Sequence, residues 1–190
     1  MLAALLVAVL AAVPARADAV FARKVAEAAL AQTKERIVYD GRYVRLAYPG
    51  GDVPAGTGVC TDVVIRAFRK AGVDLQVAVH EDMKKNFSAY PRNWGRREPD
   101  SNIDHRRVPN LMTFLRREGA ALPVSAKPGD YAPGDLVTWD LGGGLTHIGV
   151  VVPDPSGAAK PLIVHNIGAG PKREDVLFAW KVTGHFRRAP

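Results

Sequence analysis

The chain has 190 residues, 47% of them hydrophobic and 24% charged, the balance of one globular domain. That excludes a disordered chain, a collagen-like repeat and a multi-span membrane protein. A formal charge of +7 favours acidic partners such as nucleic acid, anionic lipid or anionic cell-wall polymer, without choosing among them. The single cysteine excludes an intramolecular disulfide and any cysteine-rich zinc or iron–sulfur site.

Residues 1–17 read as a signal peptide. The apolar run Leu2–Val13 has the length of a signal-peptide core and is too short to span a bilayer. Ala15 and Ala17 flank Arg16 in a small–x–small pattern, so Asp18 is expected to open the mature chain. The expected location is periplasmic or secreted, with no stable membrane insertion once the segment is removed. Residues 18–190 are expected to form a single domain.

Ala19–Arg36 carries Phe21, Val25, Ala28 and Ala29 at helical spacing and predicts an amphipathic helix. Tyr43–Tyr48 predicts a short strand, and Pro49–Gly58 a Gly/Pro-rich loop. Cys60–Ala71 predicts a helix with Val64, Ala67, Phe68 and Ala71 on its apolar face and Gly72 as its stop. Glu81–Asn86 adds a helical turn. Ala89–His105 is polar and irregular. Val108–Glu118 is a second core helix, ended by Gly119. Gly134–Asp140 and Thr146–Val152 predict a hairpin with Gly142, Gly143 and Gly144 at its tip. Leu162–His165 follows as a strand, Glu174–Ala179 as a helical turn and Trp180–Arg187 as a last strand. Helices first and an antiparallel meander after them make the fold class α+β.

A thiol nucleophile needs a lowered pKa and a nearby base. Cys60 sits where the Gly-rich loop enters a helix. There the positive end of the helix dipole favours a thiolate, and free backbone N–H groups can hold an oxyanion. Of the five histidines, His147 opens one apolar strand and His165 ends the next, so the two can hydrogen-bond on adjacent strands. That gives Cys60 as nucleophile, His147 as base and His165 as orienting group; the bland alternative is two surface histidines at strand ends. Asp62 stands close to the thiol. It either opposes the thiolate or satisfies N–H groups of the first turn.

Gly58-Val59-Cys60-Thr61-Asp62-Val63-Val64 resembles the nucleophile helix of NlpC-type cell-wall endopeptidases. Pro133–Trp139 followed by Thr146-His147-Ile148-Gly149-Val150 resembles their strand pair carrying the catalytic histidine, and Val164-His165-Asn166 the strand carrying their third polar residue. More closely, Asn102–Asn110, His165-Asn166-Ile167-Gly168 and Trp180 with Thr183-Gly184-His185 look like the bacterial domain-of-unknown-function family 1287. The resemblance implies a papain-like, NlpC-type fold, with the nucleophile helix among N-terminal helices packed on an antiparallel meander or half-barrel. It also implies a cysteine hydrolase that cuts a peptide or amide bond in peptidoglycan. A non-catalytic periplasmic wall-binding protein and a cysteine acyltransferase are the alternatives on the same fold.

The stretch from Leu75 to Pro133 is longer than the matching connection in the endopeptidases and is basic. Arg92, Arg96, Arg97, Arg106 and Arg107 cluster there with Tyr90 and Trp94. Guanidinium groups grip carboxylates bidentately, so Trp94, Arg96, Arg97, Asp104, His105 and Arg106 are expected to bind a peptidoglycan stem peptide or another anionic wall component. Asp104-His105-Arg106 reads alternatively as a cluster anchoring the loop, with Asp104 paired to an arginine. No spacing resembles a zinc motif, so no metal and no other cofactor are expected. A nucleic-acid partner is disfavoured by export and by the lack of a binding motif.

Overall fold

Residues 12–158 and 160–189 are described by a computed structural model of the chain. Most of the expected signal peptide, residues 1–11, lies outside them. The elements are α1 (Ala12–Gln32), β1 (Val38–Tyr39), β2 (Thr57–Gly58), α2 (Cys60–Lys70), α3 (Leu75–Asn86), α4 (Val108–Arg117), β3 (Ala121–Leu122), β4 (Leu136–Asp140), β5 (Thr146–Val152), β6 (Leu162–His165), β7 (Lys172–Glu174) and β8 (Lys181–Phe186). Strands β3-β8-β4-β5-β6-β7 form one sheet in that order, each ladder antiparallel. The short strands β1 and β2 pair in parallel beside it. The class is mixed α+β. Helix α1 runs across the expected junction between Ala17 and Asp18. Among the described residues no helix is long and apolar enough to cross a membrane.

The sheet is buried on both faces, and the period-2 alternation of its strands sorts the side chains. Leu136, Ile148, Val150, Val152 and Val164 point to the helices, where they meet Val25, Val64, Phe68, Leu111 and Phe114. Phe21 of α1 packs edge-on against Phe68 of α2 with ring centroids 5.5 Å apart. Val137, Trp139, Val151 and Ile163 point the other way, onto Tyr131 and Leu177. Trp139 Nε1 donates to Leu177 O at 2.9 Å, so its one polar atom is satisfied inside that second core. Two buried faces explain why Ile148–Val152 reads as a continuous apolar run rather than an alternating one.

Three of the expected elements differ in the structure. Tyr43–Tyr48 forms no strand, because its polar groups are taken by the basic insert. The Leu46 N–H donates to Asn102 Oδ1 at 2.8 Å, Ala47 O accepts from Gln76 Nε2 at 2.8 Å, and the Tyr43 hydroxyl lies 3.1 Å from Asp100 Oδ2. The turn expected at Glu81–Asn86 is the end of a longer helix. Asp74 caps it by accepting from Gln76 N at 2.9 Å, and Leu75, Val79 and Met83 bury its inner face. Glu174–Ala179 is not helical. Lys172–Glu174 adds instead to the sheet edge, with Ile163 opposite Glu174 and His165 opposite Lys172. Charged side chains on an outer strand protect it from further pairing.

Gly149 of β5 lies under side chains of β6. A Cβ there would lie 2.5 Å from Ile163 Cγ2 and 3.1 Å from His165 Cβ. Gly149→Ala is expected to cost about 1–3 kcal/mol through overpacking, a fall of roughly 2–12 °C in Tm. Thermal melting checks this; an unchanged Tm would mean that the two strands separate without penalty.

Candidate active site

The site begins with how α2 starts. Its first residue is Cys60. Asp62 turns back over the preceding segment, where its Oδ2 accepts the Val59 N–H at 2.7 Å. Arg106 holds the same carboxylate from the other side, with Nε 2.9 Å from Oδ1 and Nη2 2.9 Å from Oδ2. Both side chains are buried, at 2% and 3% exposure. Thr61 Oγ1 donates to Arg106 O at 3.0 Å. Both sequence readings of Asp62 hold: the carboxylate accepts an N–H at the helix start and pairs with Arg106, and its charge still opposes the thiolate.

The thiol itself is buried. Burial pushes Cys60 up to about 11, against the pull of backbone N–H groups of Ile148, Thr61 and Cys60 that point at the sulfur; the Asp62 charge adds to the rise. The expected lowering at a helix N-terminus is overturned in this conformation, because desolvation outweighs the helix-end field. Tyr39 of β1 stands close by. Burial first, and then the charges of Cys60 and Asp62, raise its phenol above the ordinary value.

The histidines come together as the spacing implied. His147 Nε2 and His165 Nδ1 are 2.8 Å apart. His165 Nε2 is 2.9 Å from Glu174 Oε2 on the edge strand. The two rings are 2% and 1% exposed, so they are not surface histidines. Trp139 packs against the His147 ring at 5.7 Å between centroids, and Trp180 lies 6.1 Å from both rings. Burial, followed by the neighbouring His165, lowers His147 to about 3. His165 is lowered by burial, which outweighs the opposing hydrogen bond and charge of Glu174. Both imidazoles are therefore neutral at pH 7.

Strand alternation sends Ile148 toward the helices and Cys60, and His147 toward Trp139. At the end of β5 the backbone N–H of Ile148, one residue past His147, faces the thiol. Among the described residues no hydrogen bond joins the thiol to either ring. Asn166 fastens the two halves. It is fully buried, and its Nδ2 donates 3.2 Å to Gly58 O, tying the end of the His165 strand to the segment just before Cys60.

The basic insert divides in two. Trp94, Arg96 and Arg97 are exposed. The Arg107 guanidinium lies 4.0 Å over the Trp94 ring, and Arg96 pairs with Asp100 at 2.9 Å. Asp104, His105 and Arg106 are buried, which corrects their expected place on a binding surface. Asp104 accepts the Asp100 N–H and pairs with Arg107 at 3.3 Å. Burial depresses His105 to about 4. The three form the anchoring cluster that was the alternative reading, with Asp104 paired to an arginine. Among the described residues no group of three His, Cys, Asp or Glu side chains is placed to hold a metal ion.

Three neighbours were missed from the sequence. Tyr39 lay in a stretch with no pattern. Asn166 stood inside a quoted motif without a role. Glu174 was placed in a helical turn, although Lys172-Arg173-Glu174 after Pro171 also suits a short polar edge strand.

Two outcomes are expected from this arrangement. Arg106→Ala leaves the Asp62 charge buried and alone, and should cost about 3–5 kcal/mol. The double variant Asp62→Asn/Arg106→Met should melt closer to wild type; equal damage in both would mean that the pair's charge is not what matters. The second outcome concerns pH. His147 at about 3 and His105 at about 4 lie below their ordinary 6.5, so the unfolded chain binds protons that the folded chain refuses. Their contribution is complete above 6.5 and drains away as pH falls toward 4 and then 3. Tm should drop steadily from pH 7 to pH 4, and the slope should flatten in His105→Gln.

Comparison with known proteins extends the geometry. The family model described as "Domain of unknown function (DUF1287)" matches residues 26–188. The chain is also similar to "Uncharacterized protein YijF" of Escherichia coli (strain K12), with 55% identity over 163 residues, covering 86% of this chain and 80% of that protein.

Proposed function

This chain belongs to the DUF1287 family, and we propose that it is an exported cysteine hydrolase of the papain-like, NlpC type that cleaves a peptide or amide bond in peptidoglycan. The observation that carries the reading is the buried hydrogen bond between His147 and His165, on strands that pack against the helix opened by Cys60. The Ile148 N–H that faces the thiol belongs to the residue after His147, and His147 is hydrogen-bonded to a second histidine. A nucleophile helix packed on an antiparallel sheet, with base and orienting residue on neighbouring strands, is the arrangement expected of that fold.

In the proposed reaction the scissile carbonyl enters beside Cys60. The thiol proton passes to His147 as sulfur attacks the carbonyl carbon, so the thiolate never has to exist free in a buried site. The Cys60 backbone N–H contributes to the oxyanion hole. The tetrahedral intermediate collapses, the C–N bond breaks, and the leaving amine takes the proton from His147. Water, deprotonated by His147, then attacks the thioester and releases the acid and the thiol. His165 orients His147 throughout. Arg96, Arg97 and Trp94 form an exposed basic and aromatic face for the stem-peptide carboxylates. The expected signal peptide supports a periplasmic or secreted location. No cofactor enters the chemistry.

The buried, neutral thiol favours one second reading, a non-catalytic wall-binding protein on the same fold. An acyltransferase would use the same groups, with an amine in place of water.

Digestion of purified muropeptides, with products weighed by mass spectrometry, separates these. Wild type should give two fragments whose masses sum to substrate plus one water, and Cys60→Ala none. Arg96→Ala/Arg97→Ala should raise KM several-fold and reduce its salt dependence while kcat holds. Salt-sensitive binding without cleavage by wild type would sink the hydrolase and leave the wall-binding protein.

A further inference from the structure

We infer that Glu174 is a positioning residue: its carboxylate fixes the tautomers of both buried histidines and leaves Nδ1 of His147 as the bare, basic nitrogen. The argument follows the protons along one chain of contacts. A carboxylate oxygen only accepts hydrogen bonds. Its 2.9 Å contact with His165 Nε2 therefore places a proton on that nitrogen. A neutral imidazole has one N–H, so His165 Nδ1 carries none and must accept. The 2.8 Å contact with His147 Nε2 then requires His147 to donate from Nε2. His147 is neutral as well, and its Nδ1 is left with a free lone pair.

Without Glu174 the neutral pair has two solutions, with the shared proton on either histidine. In one of them His147 carries its proton on Nδ1 and cannot act as a base there. Glu174 selects the other. Its place makes this possible: β7 is the edge strand and pairs Glu174 opposite Ile163, two residue pairs along from His165 and so on the same face of the sheet. The Glu174 side chain is 41% exposed while the ring it contacts is 1% exposed, so the carboxylate stays partly hydrated and still reaches a buried imidazole. When His147 takes up a proton at Nδ1, the positive charge is met through Nε2–H and His165 by the same carboxylate.

The catalytic consequence rests on the proposed hydrolase; the tautomers do not. Nitrogen-15 NMR of the imidazoles in the full chain at pH 7 reads them directly. Wild type should show both histidines protonated on Nε2 and bare on Nδ1. Glu174→Leu should show a mixture at both, with Tm close to wild type, and Glu174→Gln, which keeps an acceptor oxygen, should recover most of the wild-type pattern. On a muropeptide, Glu174→Leu should lose at least about tenfold in kcat with KM little changed, the signature of a misdirected base. A wild-type proton on His147 Nδ1, or an Nε2–H pattern unchanged in a folded Glu174→Leu, overturns the inference. Should Glu174→Leu not fold, Glu174→Ala takes its place: a mixture of tautomers in the folded variant supports the assignment, and an unchanged Nε2–H pattern overturns it. Absence of any muropeptide cleavage by wild type refutes the hydrolase while leaving the tautomer result standing.

Discussion

Asp62 and Arg106 meet in the interior, and most of what surrounds Cys60 is arranged around that contact. Taking two charges out of water is costly, and only good geometry with further hydrogen bonds offsets it. The geometry is good here: the guanidinium is bidentate to the carboxylate, and Asp62 also caps the Val59 N–H. The remaining Arg106 donors point toward Asp40 O and Arg42 O, each at 3.4 Å. One guanidinium thus gathers the start of α2, the segment after β1 and the turn at Asp104–Arg106. These pieces are far apart in sequence and carry little regular structure of their own. Further hydrogen bonds, from Thr61 to Arg106 O and from Leu46 N–H to Asn102, fasten the same pieces.

The same low-polarity interior bears on the proposed chemistry. Thiol and imidazole are each driven to the neutral form by loss of water, and aromatic rings from β4 and the segment before β8 seal the histidines. A neutral resting pair suits a proton transfer that happens only when substrate supplies an electrophile. It suits ion-pair chemistry poorly. Asp135 offers a contrast within the protein. It is also buried, yet His185 and Arg187 both contact it at 2.7 Å, and with them burial is overcome and its carboxyl falls below the ordinary value. The difference lies in the partners that desolvated groups find.

What the sequence disclosed depended on the range of each interaction. Helix α2 was legible because its apolar spacing, its Gly72 stop and its loop entry are all local. The hairpin of β4 and β5 was legible for the same reason. His147 and His165 could be paired because sequential strands usually neighbour each other. The strand expected at Tyr43–Tyr48 failed because its hydrogen-bond partners, Asn102 and Gln76, lie in other segments and leave no local trace. Asp104, His105 and Arg106 looked like a binding surface for a related reason. A charged triplet in a polar loop reads as solvated unless its buried partner is known, and Asp62 sits far upstream. The thiol's acidity was misjudged because a helix end can be read from sequence, whereas depth of burial cannot.

The hydrogen bond from Asn166 to Gly58 spans 108 positions of the chain, and it has a consequence for the order of assembly. Contacts between such distant segments form late in folding, since the intervening chain must first be ordered. During synthesis the nucleophile emerges well before either histidine or Glu174. A nascent chain therefore carries the thiol before the histidines that the proposed chemistry pairs with it. If the proposed activity is right, the protein has no competent active site until nearly the whole of it exists.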